Sequence, residues 1–155
     1  MEYRLATTSW GKEEIEAIHK VIESDRYSMG TQVESFEKEF SKFFGSKYSV
    51  MCSSGSTANL LMIASLFFKK ENPLKRGDEV IVPAVSWSTT YFPLQQYGLH
   101  VKFVDIDSKT LNFDLDQLAE AISEKTKVIL AVNLLGNPND FETIKDIINK
   151  RDIIL

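Results

Sequence analysis

The feature that most constrains this chain is a short apolar run that ends in small hydroxyl residues and leads directly into a helical pattern. Tyr48, Val50 and Met51 make residues 48–51 read as a buried strand. Ser53, Ser54, Gly55 and Ser56 follow, and residues 57–69 then carry an unbroken helical pattern. A strand, a Gly/Ser turn and a helix together make an anion site. The first-turn N–H groups lack partners inside the helix, the helix dipole favours negative charge there, and glycine lets a ligand approach the backbone. The hydroxyls of Ser56 and Thr57 add possible hydrogen bonds to a phosphate. The same residues also suit a plain turn and helix cap, so this stretch alone leaves both readings open.

The rest of the chain repeats the pattern. Residues 12–23 read as a helix with Ile15, Ile18 and Ile22 on one face and Ser9 or Thr8 as its cap. Residues 24–30 form a connector containing Tyr27, Met29 and Gly30. Residues 31–44 read as a second helix, with Val33, Phe36, Phe40, Phe43 and Phe44 forming one buried stripe and Gly45 as its stop. Strands are expected at 80–83, 101–105, 128–132 and 152–155. Helices are expected at 91–97, 115–122 and 141–149, the last two capped by Asp114 and Asp140. The run at 128–132 does not alternate, as expected of a strand covered on both faces. Strand and helix in succession predict an α/β fold, a mostly parallel sheet held between helices in three layers. In such sheets ligands lie outside the carboxyl ends of the strands. The loops expected there, 53–57, 86–90 and 133–139, are all rich in polar side chains.

Composition narrows the chemistry. A chain of 155 residues with 43% hydrophobic content suits one globular domain, and a net charge of −4 gives no attraction to nucleic acid or an anionic membrane. One cysteine, Cys52, excludes an internal disulfide and a zinc cluster, and in a strand it reads as a small buried side chain. The two histidines, His19 and His100, lack metal-ligand spacing and read as structural; no metal site is expected. Asp105 and Asp107 flank the end of a strand and read as turn residues. Dinucleotide and P-loop glycine patterns are absent from the sequence. Without a leader pattern or a long apolar run, the chain reads as cytoplasmic.

Several stretches together resemble one family. They are Ser53 to Leu60, Gly77-Asp78-Glu79-Val80-Ile81-Val82-Pro83, Val104-Asp105-Ile106-Asp107, Lys125-Thr126-Lys127 and Leu135-Gly136-Asn137-Pro138, in order and suitably spaced. The chain is similar throughout to the pyridoxal-phosphate-dependent sugar aminotransferases and dehydratases of the DegT type, which have the fold type I aminotransferase architecture. Ser86-Trp87-Ser88-Thr89-Thr90, residues 93–98 and residues 133–141 resemble the 3-dehydratases of that family more than its aminotransferases.

The resemblance implies pyridoxal 5′-phosphate or pyridoxamine 5′-phosphate as cofactor. Gly55, Ser56 and Thr57 would hold its phosphate, and Trp87 would stack on its ring. Ser88 and Asn133 would lie near the ring or substrate, and Tyr27, Met29 and Gly30 near a sugar nucleotide. It implies a GDP-4-keto-6-deoxymannose-like substrate, glutamate as amino donor, a homodimer, and a place in dideoxysugar and lipopolysaccharide O-antigen biosynthesis. In the family the acid that pairs with the pyridine nitrogen, and the Schiff-base lysine or the histidine that replaces it, come later than Leu155. Residues 1–155 are therefore expected to be the amino-terminal part of the cofactor-binding domain, with no catalytic base of their own. A sugar aminotransferase and a non-catalytic binding or dimerisation remnant are the alternative expectations.

Overall fold

The computed structural model describes residues 7–155. The chain divides into two units, one reaching Met51 and the other running from Cys52 to Leu155.

The first unit contains two amphipathic helices. Helix α1 spans Lys12–Glu23 and α2 spans Thr31–Phe44. Both ranges agree with the sequence reading, because each helix has a three-and-four apolar spacing and ends where the pattern breaks. The cap of α1 differs from expectation. Gly11, not Ser9 or Thr8, is the cap, and its N–H donates to the Glu14 carboxylate at 2.7 Å. Gly45 ends α2 with φ of 66°, a left-handed conformation that glycine adopts without a Cβ clash.

Two further expectations fail in this unit. Residues 48–51 form no strand. Their polar groups are taken by α2: the Met51 N–H donates to the Glu37 carboxylate at 2.8 Å, and the Ser41 hydroxyl donates to that of Ser49 at 2.9 Å. A strand needs a neighbouring strand for its ladder, and this segment is bonded to a helix instead. The phenylalanine stripe is also not a buried core. Phe36, Phe40, Phe43 and Phe44 are all exposed, and neither α1 nor α2 contains a fully buried residue. The rings pack along the helix instead, with centroids 5.5 Å apart for Phe36–Phe40 and 4.5 Å for Phe40–Phe44.

The second unit contains the sheet. Helix α3 is Gly55–Phe67, β1 is Glu79–Pro83, α4 is Ser88–Gln96 and β2 is His100–Val104. Helix α5 is Leu115–Ala121, β3 is Thr126–Ile129 and α6 is Phe141–Ile148, with a 3₁₀ turn at Leu134–Gly136. The strand order is β2-β1-β3, and both pairings are parallel. A parallel bridge from Val128 to Ile154 extends the pairing beyond β3, in place of a full strand at 152–155. Cys52 is half-buried and lies outside any strand, contrary to the sequence reading.

Alternate residues of β1 divide the core in two. Val80 and Val82 pack with Ile63 of α3, Leu94 of α4, Leu74, Leu99 and Val128. Ile81 packs on the other side with Leu118 of α5, Ile144 and Ile148 of α6, Val104, Phe113 and Ile129. Helices therefore cover both faces, which gives the three-layer α/β arrangement. Every residue of β1 is buried, as a central parallel strand requires.

Glu79 is the one carboxylate in that strand, and it is 7% exposed. Its oxygen accepts from the Thr126 hydroxyl at 2.6 Å and the Ser123 hydroxyl at 3.0 Å. Burial pushes its pKa up, but these two hydroxyls together with Lys102 and His100 outweigh it, so the pKa lies below its ordinary value of 4.5. A carboxyl depressed in the folded state contributes stability above its unfolded pKa and loses it as the pH falls through the folded pKa. Glu79→Gln is therefore expected to flatten the loss of stability below pH 4.5, measured by denaturant titrations across that range.

Gly98 joins α4 to β2 at φ of 70°, and a Cβ there would meet the Arg76 guanidinium at 2.7 Å. The left-handed conformation costs a non-glycine residue about 1–2 kcal/mol. Gly98→Ala is expected to lower unfolding stability by about that amount in urea melts, and an unchanged midpoint would contradict it.

Candidate functional site

Helix α3 begins at Gly55 because Ser54 caps it. The Ser54 hydroxyl accepts from the Thr57 N–H at 3.3 Å, and the Thr57 hydroxyl accepts from the Ser54 N–H at 3.0 Å. These reciprocal bonds form a capping box. The Thr57 hydroxyl donates in turn to the Ser54 carbonyl at 2.8 Å. Both readings of the stretch are therefore compatible in one geometry. Ser54 and Thr57 satisfy the cap, while the backbone N–H groups of Gly55 and Ser56 have no hydrogen-bond partner among the described residues. The unengaged donors at this helix end, among the described residues, are thus the N–H groups of Gly55 and Ser56 and the Ser56 hydroxyl, with Thr57 holding the turn.

Helix α4 lies alongside. The Asn59 carboxamide donates to the Thr89 carbonyl at 3.2 Å, which ties α3 to the first turn of α4. Ser56, Thr57 and Leu60 line a cavity of about 180 Å³ with Thr89, Phe92, Pro93 and Gln96. Trp87 is the cap residue of α4, in an extended conformation, and the residue is 75% exposed. Ser88 is the first residue of α4. Two residues earlier, the Ser86 hydroxyl shares a 2.8 Å hydrogen bond with that of Thr90. The Tyr91 hydroxyl donates to the Pro83 carbonyl at 2.8 Å, so the loop leaving β1 is anchored from below. Burial raises the Tyr91 pKa, which keeps that donor protonated.

The loop after β3 is also fixed by polar side chains. The Asn133 oxygen accepts from both the backbone N–H of Asn139 at 3.0 Å and the Asn139 carboxamide at 2.9 Å. Asn112 and Asn137 bridge this loop to the one after β2: the Asn112 carboxamide donates to the Pro138 carbonyl at 2.8 Å, and that of Asn137 to the Thr110 carbonyl at 3.0 Å. Sequence reasoning overlooked Asn112, Asn137 and Asn139 as fixing residues; the run of asparagines around Pro138 was the available signal. Asp107 acts as a turn residue, as expected. It accepts the N–H groups of Thr110 and Lys109, which hold its pKa below the usual value.

The loops at 84–87 and 130–133 leave the carboxyl ends of the adjacent parallel strands β1 and β3. That brings Trp87, Ser88 and Asn133 to one edge of the sheet, where ligands of such folds bind. Gly55, Ser56 and Thr57 stand at the helix end bonded to α4. Tyr27, Met29 and Gly30 belong to the other unit. There Tyr27 and Met29 are exposed, Met29 has φ of 50°, and Gly30 caps α2. His19 and His100 are exposed. No cluster of metal-ligating side chains occurs among the described residues, and no helix among them is long and apolar enough to cross a membrane.

A parallel sheet covered by helices on both faces, with α3 tied to the first turn of α4, defines an α/β fold. The comparisons with known proteins narrow this further. The model of the DegT/DnrJ/EryC1/StrS aminotransferase family matches residues 8–155, and the chain belongs to that family. It is 64% identical along its whole length to the GDP-4-keto-6-deoxy-D-mannose 3-dehydratase of Yersinia pseudotuberculosis. Its identity to the enzyme of that name from Escherichia coli O55:H7 is 62%. A crystal structure of GDP-4-keto-6-deoxymannose-3-dehydratase with a trapped PLP-glutamate geminal diamine superposes with a TM-score of 0.95 at 61% identity, covering 99% of this chain. The chain spans 39% and 40% of the length of those two curated relatives and 40% of the chain in that structure.

The capping box gives a direct check on the local geometry. Ser54→Ala removes the cap and is expected to lower stability by about 1 kcal/mol, read from chemical denaturation. Ser54→Asp, which still accepts the Thr57 N–H, should retain most of it.

Proposed function

We propose that the protein carrying this chain is a 3-dehydratase that removes the 3-hydroxyl of a GDP-4-keto-6-deoxymannose-like sugar nucleotide, using pyridoxal 5′-phosphate in its pyridoxamine form. The observation that carries this reading is the 64% identity along the entire chain to a named 3-dehydratase, where chance similarity within a shared fold would be far lower.

The residues present suit the cofactor. Gly55 and Ser56 offer two unengaged N–H groups and a hydroxyl at the positive end of a 13-residue helix, the arrangement a phosphate dianion needs. Thr57 keeps that turn closed. Trp87 offers an exposed indole face against which a flat heteroaromatic ring packs. When bound, the cofactor supplies an amine that condenses with the 4-keto group and a ring that takes up the electron pair released at its methylene carbon. Ser88 and Asn133 supply polar contacts at the same sheet edge. Tyr27, Met29 and Gly30 are assigned to the sugar nucleotide. Glutamate restores the amine form, the enzyme works as a homodimer in the cytoplasm, and its product enters lipopolysaccharide O-antigen synthesis. These assignments follow from the family resemblance.

A sugar aminotransferase is the second reading, since the family that contains the chain is named for that reaction. The two readings give different products. Incubation with GDP-4-keto-6-deoxymannose, pyridoxal 5′-phosphate and glutamate, followed by mass spectrometry, is expected to give a ketosugar lacking one oxygen. An amino sugar would replace the dehydratase reading with the aminotransferase one. Cofactor binding without any product would favour a binding remnant. At the level of binding, Trp87→Ala is expected to weaken cofactor affinity about tenfold and Trp87→Phe by much less, followed by absorbance titration.

A further inference from the structure

We propose that Asn139 is a positioning residue that sets the Asn133 side chain as a donor-only contact for an oxygen acceptor on the ligand. The proposal rests on the assignment of Asn133 to the cofactor site.

The polarity of both amides follows from backbone partners. The backbone N–H of Asn139 can only donate, so the Asn133 atom 3.0 Å away is its oxygen. The Val132 carbonyl can only accept, so the Asn139 atom 2.9 Å from it is its nitrogen. That same nitrogen gives its second hydrogen to the Asn133 oxygen at 2.9 Å. The two lone pairs of the Asn133 oxygen are thereby occupied. The Asn133 nitrogen, on the other arm of the amide, has no hydrogen-bond partner among the described residues. Asn139 is 6% exposed, so water does not compete for its donors, whereas Asn133 is exposed and remains accessible.

A carboxamide normally presents a donor and an acceptor, and by rotation it can suit either kind of ligand atom. Here rotation about the last side-chain bond would turn the Asn133 N–H groups toward the two donors of buried Asn139, setting donor against donor. The site therefore accepts a phenolate, carbonyl or hydroxyl oxygen and disfavours an ammonium group at this position. Two donors converging on one oxygen hold the Asn133 amide in a particular orientation.

The test uses isotope-labelled chain and pyridoxamine 5′-phosphate as probe. Without ligand, the Asn139 carboxamide protons should exchange with solvent at least about tenfold more slowly than those of Asn133. Added pyridoxamine 5′-phosphate should shift the Asn133 carboxamide signal together with the Gly55 and Ser56 amides. In Asn139→Ala the Gly55 and Ser56 shifts should persist, the Asn133 shift should collapse, and the Kd should rise about tenfold, the worth of one good hydrogen bond. Asn133→Asp keeps the shape but offers no donor, and should give a similar loss. If Asn139→Ala does not fold, the exchange rates and Asn133→Asp decide the matter. Equal exchange of the two carboxamides would overturn the proposal, as would an Asn133 response that survives in Asn139→Ala. Shifts at Gly55 and Ser56 without one at Asn133 would overturn it while leaving the phosphate site intact. A probe that moves none of the three would overturn the cofactor assignment and this proposal with it.

Discussion

Everything in the second unit depends on the complete burial of β1. A strand with neighbours on both edges and helices on both faces has no access to water, so each of its backbone groups must find a partner in β2 or β3. The register supplies them, running from Glu79 beside His100 to Pro83 beside Val104 on one edge and to the residues 126–129 on the other. Pro83, which lacks an N–H, is tolerated because it is the last residue of the strand. Glu79 at the opposite end is tolerated because Ser123 and Thr126 convert a buried charge into a bonded one. With the strand fixed at both ends, the loop that follows it has a defined origin, and Trp87 and Ser88 inherit that definition.

The helix caps extend the same logic outward. Ser54, Asp114 and Asp140 each accept an N–H from three residues on, fixing where α3, α5 and α6 begin. At α3 this has a chemical consequence. The cap uses the N–H of the third helical residue and leaves those of the first two facing outward. A cap and an anion site are usually weighed against each other, but here the capped geometry leaves the donors that the proposed phosphate contact would use.

Much of this was legible in the sequence because it is written in short-range signals. The bounds of α1 and α2, the Gly45 stop, the Asp114 and Asp140 caps and the core strand at 80–83 all follow from periodicity and cap chemistry. At the candidate site the same chemistry made the cap and start of α3 legible, at Ser54 to Thr57. What could not be read depends on long-range pairing. Residues 48–51 have the composition of a strand, but composition does not say whether a neighbour is available, and Glu37 and Ser41 of α2 take that role. The phenylalanines of α2 have the spacing of a core stripe, but spacing identifies an apolar face and not what covers it. Asn139 was missed for a related reason: its significance lies in two bonds to Asn133 across a turn containing Leu135 at φ of 53°, a geometry that the residue types do not announce.

That turn has a thermodynamic meaning beyond its hydrogen bonds. A loop that must be ordered by its ligand gives up conformational entropy on binding, and affinity falls accordingly. The 133–139 loop is already ordered, by Asn112 and Asn137 from the side and by Asn139 from within. The entropy of arranging it is lost during folding of the chain, so a ligand bound there as proposed would be spared that loss, and its affinity would be set by the contacts themselves.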